Sequence, residues 1–372
     1  MIFIIELESN LNSIFNEDLE NIHCAIKKHR DKFRNSNFLI TGCAGFLGFY
    51  LINYLLRYSD ELEINLILGV DNFILGRPKW LDELQQKYEK KFSIKNIDIC
   101  DLNLSEIFEA KSINYVIHAA SIASPTFYRK YPLKTIEGNI WGLKNLLNFY
   151  KNKDLKGFLF FSSSEVYGDP SPENIPTSED YRGNVSMVGP RACYDESKRF
   201  GETLCYVYNL QYKIPITIAR PFNNYGPGMN VNDKRVPADF AKSIIKRENI
   251  VLLSDGSPTR TFCYISDAIT GYLLCLLYGS FEIFNIGTEK PEISILKLAQ
   301  IYQSVSAKIL NFIPDVIHEK SSDKEYMMDN PNRRCPIIEK AKLKLNYNPK
   351  VDIENGIERY LTYLSLDNEK NK

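Results

Sequence analysis

The feature that most constrains the fold is a glycine-rich turn. Thr41-Gly42-Cys43-Ala44-Gly45-Phe46-Leu47-Gly48 follows the apolar run Phe38-Leu39-Ile40 and opens a segment, 46–58, with helical patterning. In a strand-turn-helix of this spacing, the first glycine permits a tight turn. The second lets the backbone approach a pyrophosphate, and the third lets helix pack on strand. The helix N-terminus then presents free N–H groups to phosphate oxygens. Asp71 ends the next apolar run, 23 residues beyond Gly48. A carboxylate there accepts both adenosine-ribose hydroxyls and repels a 2′-phosphate, so the spacing predicts NAD over NADP. Nearby Arg77 weakens that preference slightly.

Short apolar runs continue at Asn65–Val70, Ile94–Ile99, Tyr115–Ala119, Phe158–Phe161 and Ile216–Ala219, with helical segments at 136–151 and 192–211 between them. Strands separated by helices form βαβ units, so the chain is predicted to be α/β, a Rossmann-type doubly wound parallel sheet. Beyond residue 220, Pro, Gly and Asn become denser. That marks a smaller C-terminal α/β substrate lobe, with helices near 235–247, 266–278, 294–306 and 353–365. The expected division is a helical extension over 1–36, an NAD-binding domain over 37–221, and a mainly substrate-binding lobe over 222–365. Segments near 262–290 are expected to return to the first domain. Within the extension, Leu11, Ile14, Phe15, Leu19, Ile22, Ala25 and Ile26 share one helical face, which implies a packing or oligomer contact.

Composition narrows the function classes. The 372 residues carry 46 Lys+Arg against 46 Asp+Glu, and 12% are aromatic. A disordered chain would have fewer aromatics and a net charge, and a nucleic-acid binder a basic excess. No apolar run approaches the roughly 20 residues of a membrane span. The opening Met1–Ile5 stretch is too short for a signal peptide. The eight cysteines form no Cys-x-x-Cys pair, and the four histidines lack ligand spacing to them. Reduced thiols, no metal and a cytoplasmic location are therefore expected.

Tyr194-Asp195-Glu196-Ser197-Lys198 places Tyr and Lys four apart, on one face of a helix. A tyrosine is a poor base at neutral pH, and a neighbouring ammonium favours its phenolate. Upstream, Phe160-Phe161-Ser162-Ser163-Ser164-Glu165 is a buried strand ending in hydroxyls and a carboxylate. Parallel α/β sheets hold their ligand crevice at such strand ends. Ser163 can hydrogen-bond the substrate hydroxyl that Tyr194 deprotonates, and Ser164 and Glu165 can position the ring and move protons. The constellation suits hydride transfer at a carbinol carbon.

These motifs resemble the extended short-chain dehydrogenase/reductase family, nucleotide-sugar branch, from about residue 37 to 362. Within that branch, Gly189-Pro190-Arg191-Ala192-Cys193-Tyr194-Asp195-Glu196-Ser197-Lys198-Arg199 resembles the signature of UDP-glucuronate decarboxylases (UDP-xylose synthases). The stretches Ala123-Ser124-Pro125, Asn232–Val236 and Thr259–Asp267 are similar too. The resemblance implies that NAD lies over Gly42, Gly45, Phe46, Leu47 and Gly48, with Asp71 and Asn72 on its ribose. Asp98 and Ile99 would flank the adenine, and Ala119, Ala120 and Ser121 would lead to the nicotinamide. Tyr194 and Lys198 would complete that site. Tyr128, Asn223, Arg235, Arg260 and Arg334 would hold a nucleotide-diphosphate sugar, and a homodimer would form through two helices per subunit. The implied reaction is oxidation at C4, loss of CO2 and re-reduction. Rival readings are a nucleotide-sugar 4,6-dehydratase, a 4-epimerase and a non-catalytic NAD-binding scaffold. Two departures stand out: Ser197 replaces a glycine, and Gly228 stands where an arginine is common. The partner of the sugar carboxylate is left unidentified.

Overall fold

The computed structural model describes residues 2–101, 103–321, 328 and 330–370, and within these the side chains of residues 13 to 367. Its centre is a sheet of seven strands: β1 Ser36–Thr41, β2 Ile64–Asp71, β3 Phe92–Asn96, β4 Tyr115–His118, β5 Gly157–Phe161, β6 Ile216–Pro221 and β7 Glu282–Ile286. Their spatial order is β7-β6-β5-β4-β1-β2-β3, and every pair is parallel. A parallel sheet covered on both faces needs apolar side chains on both. The central strands comply, with Phe38, Leu39, Ile40, Val116, Ile117, Phe158, Leu159 and Phe160 fully buried.

Strand order reverses at the β1/β4 boundary. Connections there leave toward opposite faces, so a crevice opens at the carboxyl ends of these two strands. The glycine turn caps β1, and Ala119-Ala120-Ser121 follows β4. β3 stops earlier than its period-two pattern suggested. Asp98 turns back to accept the Cys100 N–H at 2.9 Å, which takes the backbone out of the ladder.

Seven helices matter below: α1 Ile2–Ile26, α2 Phe46–Arg57, α3 Ala192–Tyr212, α4 Val236–Ile245, α5 Ile265–Leu276, α6 Ile295–Leu310 and α7 Ile353–Lys370. α2 is apolar nearly all round, burying Phe49, Tyr50, Leu51, Ile52, Tyr54, Leu55 and Leu56. A helix of that kind must be covered on both sides. The sheet covers one face, and α1 covers much of the other while also packing against α5 and α7. One buried carboxylate joins these parts. Asp18 of α1 accepts hydrogen bonds from the Tyr50 and Tyr264 hydroxyls, 2.8 Å each, and from Arg359 of α7 at 2.8 Å. The apolar face of the extension, from Ile14 to Ile26, is thus an internal packing surface; Leu11 lies outside the described side chains. α5 packs on β5 and β6, and β7 closes the sheet, so residues 265–286 return to the sheet from the region that carries α4, α6 and α7. No helix among the described residues is long and apolar enough to cross a membrane.

Candidate active site

The crevice is a cleft of about 630 Å³. Gly42, Gly45, Phe46, Asp71, Asn72, Asp98, Ile99, Ala119, Ala120 and Ser121 all line it. Leu47 and Gly48 do not: Leu47 packs against the core, and Gly48 sits where a Cβ would lie 2.3 Å from the Cys43 carbonyl oxygen. Gly42 has φ +70°, and a Cβ on it would meet the Ala120 nitrogen at 2.6 Å. This close approach of two backbones leaves the floor of the cleft free of side chains.

The Asp71 carboxylate accepts the Ala44 N–H at 3.0 Å and the Phe73 N–H at 2.8 Å. Burial pushes its carboxyl above the ordinary value, and these N–H donors hold the rise down. Asn72 donates to Asp98 at 2.9 Å, tying the ribose end of the cleft to the β3 turn. Arg77 is forked onto Asp82 at 2.9 and 2.6 Å and lies over the Phe73 ring, so its charge is matched. The Ser121 hydroxyl is buried in the cleft wall with no hydrogen-bond partner among the described residues. A side-chain-free floor, a ribose carboxylate and an orphaned polar atom fit a dinucleotide. The residues therefore suit NAD.

Tyr194 and Lys198 lie on the first turns of α3, at the carboxyl end of β5. Lys198 is buried and donates to the Phe161 carbonyl at 2.7 Å, with its Nζ 5.7 Å from the Tyr194 ring centre. The Ser163 hydroxyl favours the Tyr194 phenolate, and its Oγ accepts the Glu165 N–H at 3.2 Å. Burial pushes Tyr194 up to about 12 and Lys198 down to about 7. The expected lowering of the tyrosine by its lysine is not seen in the protein alone. Desolvation raises the tyrosine, and the groups that favour the phenolate here are Ser163 and then Arg235.

The nucleotide-sugar candidates divide. Tyr128 is fully buried and stacks on Tyr194, with ring centres 5.0 Å apart at 10°. Arg334 is buried and bonds the Ser164 carbonyl and, at 2.7 Å, Glu165. Its neighbour Arg333 instead forks onto Glu292. Arg260 donates to the carbonyls of Thr259, Asn332 and Pro331 at 2.7, 3.0 and 2.6 Å, and its charge acts on Glu165. Arg235 forks onto Asp233. Asn223, with φ +43°, donates to the Thr261 carbonyl at 2.8 Å.

Two residues quoted in the sequence signature but given no role prove central. Arg191 pairs with Glu165, and its Nε lies 3.5 Å from Asp195. Both Arg191 and Asp195 are buried. Burial alone would raise Glu165, but Arg191, Arg334 and Arg260 together hold it down at about 2. Burial and the Glu165 charge push Asp195 up to about 7. The three guanidiniums thus favour the charged form of Glu165. The available signal was the i,i+4 charge pair Arg191/Asp195 flanking Tyr194.

Both departures from the signature have local causes. Ser197 Oγ donates to the Tyr194 carbonyl and accepts from Asn139, each at 2.9 Å. Gly228 has φ +81°, and a Cβ there would fall 2.4 Å from the Phe49 ring, so a side chain is excluded.

Residues 38–287 match the NAD dependent epimerase/dehydratase family. The chain belongs to that family. It is 35% identical over 337 residues to UDP-glucuronic acid decarboxylase 1 of Danio rerio, covering 89% of this chain and 73% of the relative. It is equally similar to UDP-glucuronic acid decarboxylase 5 of Arabidopsis thaliana, covering 88% and 89%. Among solved structures, UDP-glucuronic acid 4-epimerase from Bacillus cereus, in complex with UDP-glucuronic acid and NAD, superposes with a TM-score of 0.70. It is 29% identical, and the match covers 90% of this chain and 99% of that one. The family is NAD-dependent, and NAD is the cofactor of this chain.

Proposed function

We propose that this chain is an NAD-dependent UDP-glucuronate decarboxylase. The observation that carries the reading is its 35% identity, over nearly nine tenths of its length, to decarboxylases of an animal and a plant. The geometry supports it, because Ser163, Glu165, Tyr194 and Lys198 gather at the carboxyl end of β5.

The residues act as follows. Tyr194, as phenolate, accepts the proton of the sugar 4-hydroxyl, while Ser163 shares that hydroxyl's hydrogen bond. Bound NAD supplies the electron acceptor for oxidation at C4 and can return the electrons later. The resulting 4-ketone is β to the C5 carboxylate. The bond from C5 to CO2 then breaks, and its electron pair moves to the C4 oxygen as an enolate. The Tyr194 phenol and the Ser163 hydroxyl donate to that oxygen where its charge develops. C5 takes up a proton, and re-reduction gives UDP-xylose. Without re-reduction, the 4-keto pentose is released. Glu165, held ionised by its arginines, positions the ring.

A 4-epimerase is the second reading, favoured by the 29% identity to the Bacillus cereus UDP-glucuronic acid 4-epimerase. It shares the C4 oxidation and retains the carboxylate. Mass analysis of products from NAD+ and UDP-glucuronate separates the two, since only decarboxylation loses CO2. A homodimer is part of the proposal. Phe200, Tyr206 and Leu210 on α3 and Trp141 on the preceding helical segment are exposed apolar side chains, suited to a helix-on-helix contact with a second copy.

A further inference from the structure

The carboxylate of a uronate sugar needs a cationic partner, and the sequence signature alone does not say which. Four arginines act on Glu165 or Tyr194, and three have their forks engaged. Arg235 is paired to Asp233, Arg260 to three backbone carbonyls, and Arg334 to the Ser164 carbonyl and Glu165. Arg191 pairs with Glu165, and its buried Nε, like that of Arg334, makes no hydrogen bond among the described residues, though it faces the Asp195 carboxylate at 3.5 Å. What places Arg191 at the reacting centre is its position over Tyr128, which stacks on Tyr194. A further orphaned donor lies near it, the Tyr128 hydroxyl, which has no partner among the described residues. Buried polar atoms are nearly always satisfied, so a cluster of orphans marks a place where a polar ligand belongs.

Position adds a second argument. The Arg191 guanidinium lies 6.0 Å from the centre of the Tyr128 ring, which is stacked on Tyr194. If Tyr194 meets the sugar at O4, the C5 carboxylate carbon is only two bonds from C4. Charge adds a third. Arg191, Arg334 and Arg260 face Glu165 and Asp195, leaving a cationic excess in a buried site. A neutral hexose would leave that excess standing, whereas a carboxylate would cancel it.

We infer that Arg191, with the Tyr128 hydroxyl, is the specificity-determining site for the sugar carboxylate. Glu165 holds Arg191 in place and shares it when the carboxylate arrives. The inference rests on the uronate reading proposed above and identifies the residues that would enforce it.

Binding in an enzyme that does not turn over is the test. NAD-loaded Tyr194→Phe protein is titrated with UDP-glucuronate and with UDP-xylose, which lacks only the carboxylate. The parent should prefer UDP-glucuronate. Adding Arg191→Gln should weaken UDP-glucuronate by about 10- to 100-fold, the scale of a lost charge-assisted pair. UDP-xylose should change by less than about threefold. Where Arg191→Gln alone abolishes UDP-xylose binding, Arg191→Gln with Glu165→Gln removes both charges of the pair, and the same loss of preference is expected. A preference that survives these substitutions overturns the inference and leaves the decarboxylase reading intact. A parent with no preference for UDP-glucuronate overturns both.

Discussion

Asp18 offers the sharpest test of how the N-terminal helix is held. Its carboxylate is fully buried and serves as acceptor for Tyr50 on α2, Tyr264 at the start of α5 and Arg359 on α7. Asp18→Ala strips an acceptor from two buried hydroxyls, each worth about 1–3 kcal/mol when left unsatisfied. Arg359 keeps Glu17 and the Ile14 carbonyl, so its loss is partial. The expected destabilisation is about 2–5 kcal/mol, read from urea unfolding followed by circular dichroism. Asp18→Asn keeps an acceptor and costs less. The two proteins also separate by pH. Burial raises Asp18 from 3.8 to about 6, so the folded state binds its proton more tightly than the unfolded state does. Wild type therefore loses stability relative to Asp18→Asn as pH rises from about 4 to about 6, by up to about 3 kcal/mol, and the difference levels off above that. A loss below about 1 kcal/mol for Asp18→Ala, or a pH-independent gap between wild type and Asp18→Asn, would refute the account of this junction.

Three further outcomes are expected. Tyr194→Phe removes the proton acceptor and should lower kcat by about 100-fold or more, with NAD affinity within about threefold, measured by initial rates and by cofactor titration. Gly42→Ala places a methyl 2.6 Å from the Ala120 nitrogen at a φ of +70°, so NAD affinity should fall at least about tenfold in calorimetry, with loss of thermal stability. Phe200→Glu with Leu210→Glu should convert a dimer to a monomer in light scattering while leaving the fold intact by circular dichroism, because both side chains are exposed.

What the sequence reveals follows from how local each interaction is. The glycine turn is legible because Gly42 and Gly48 mark backbone approaches that no other residue allows, and Asp71 follows at a fixed remove on the next strand. The Tyr194/Lys198 pair is legible because helical spacing alone puts both on one face. The pairing of Arg191 and Arg334 with Glu165 joins three distant segments, so no periodicity reports it. The same holds for Asp18, whose partners lie 32, 246 and 341 residues away. The ionisation of the site is hidden for a related reason. Proximity of Lys198 suggests a lowered Tyr194, yet burial, a property of the folded whole, decides the direction. The seventh strand, Glu282–Ile286, escapes because Glu282 and Asn285 break its apolar run, and it gains its place by pairing with β6.

The central claim is loss of the carboxyl carbon after oxidation at C4. Purified enzyme, NAD+ and UDP-glucuronate labelled with carbon-13 at the carboxylate provide its most direct test. The account requires labelled CO2 in step with the appearance of a UDP-pentose. An unchanged mass with inverted stereochemistry at C4, and no labelled CO2, would contradict it and establish epimerisation instead.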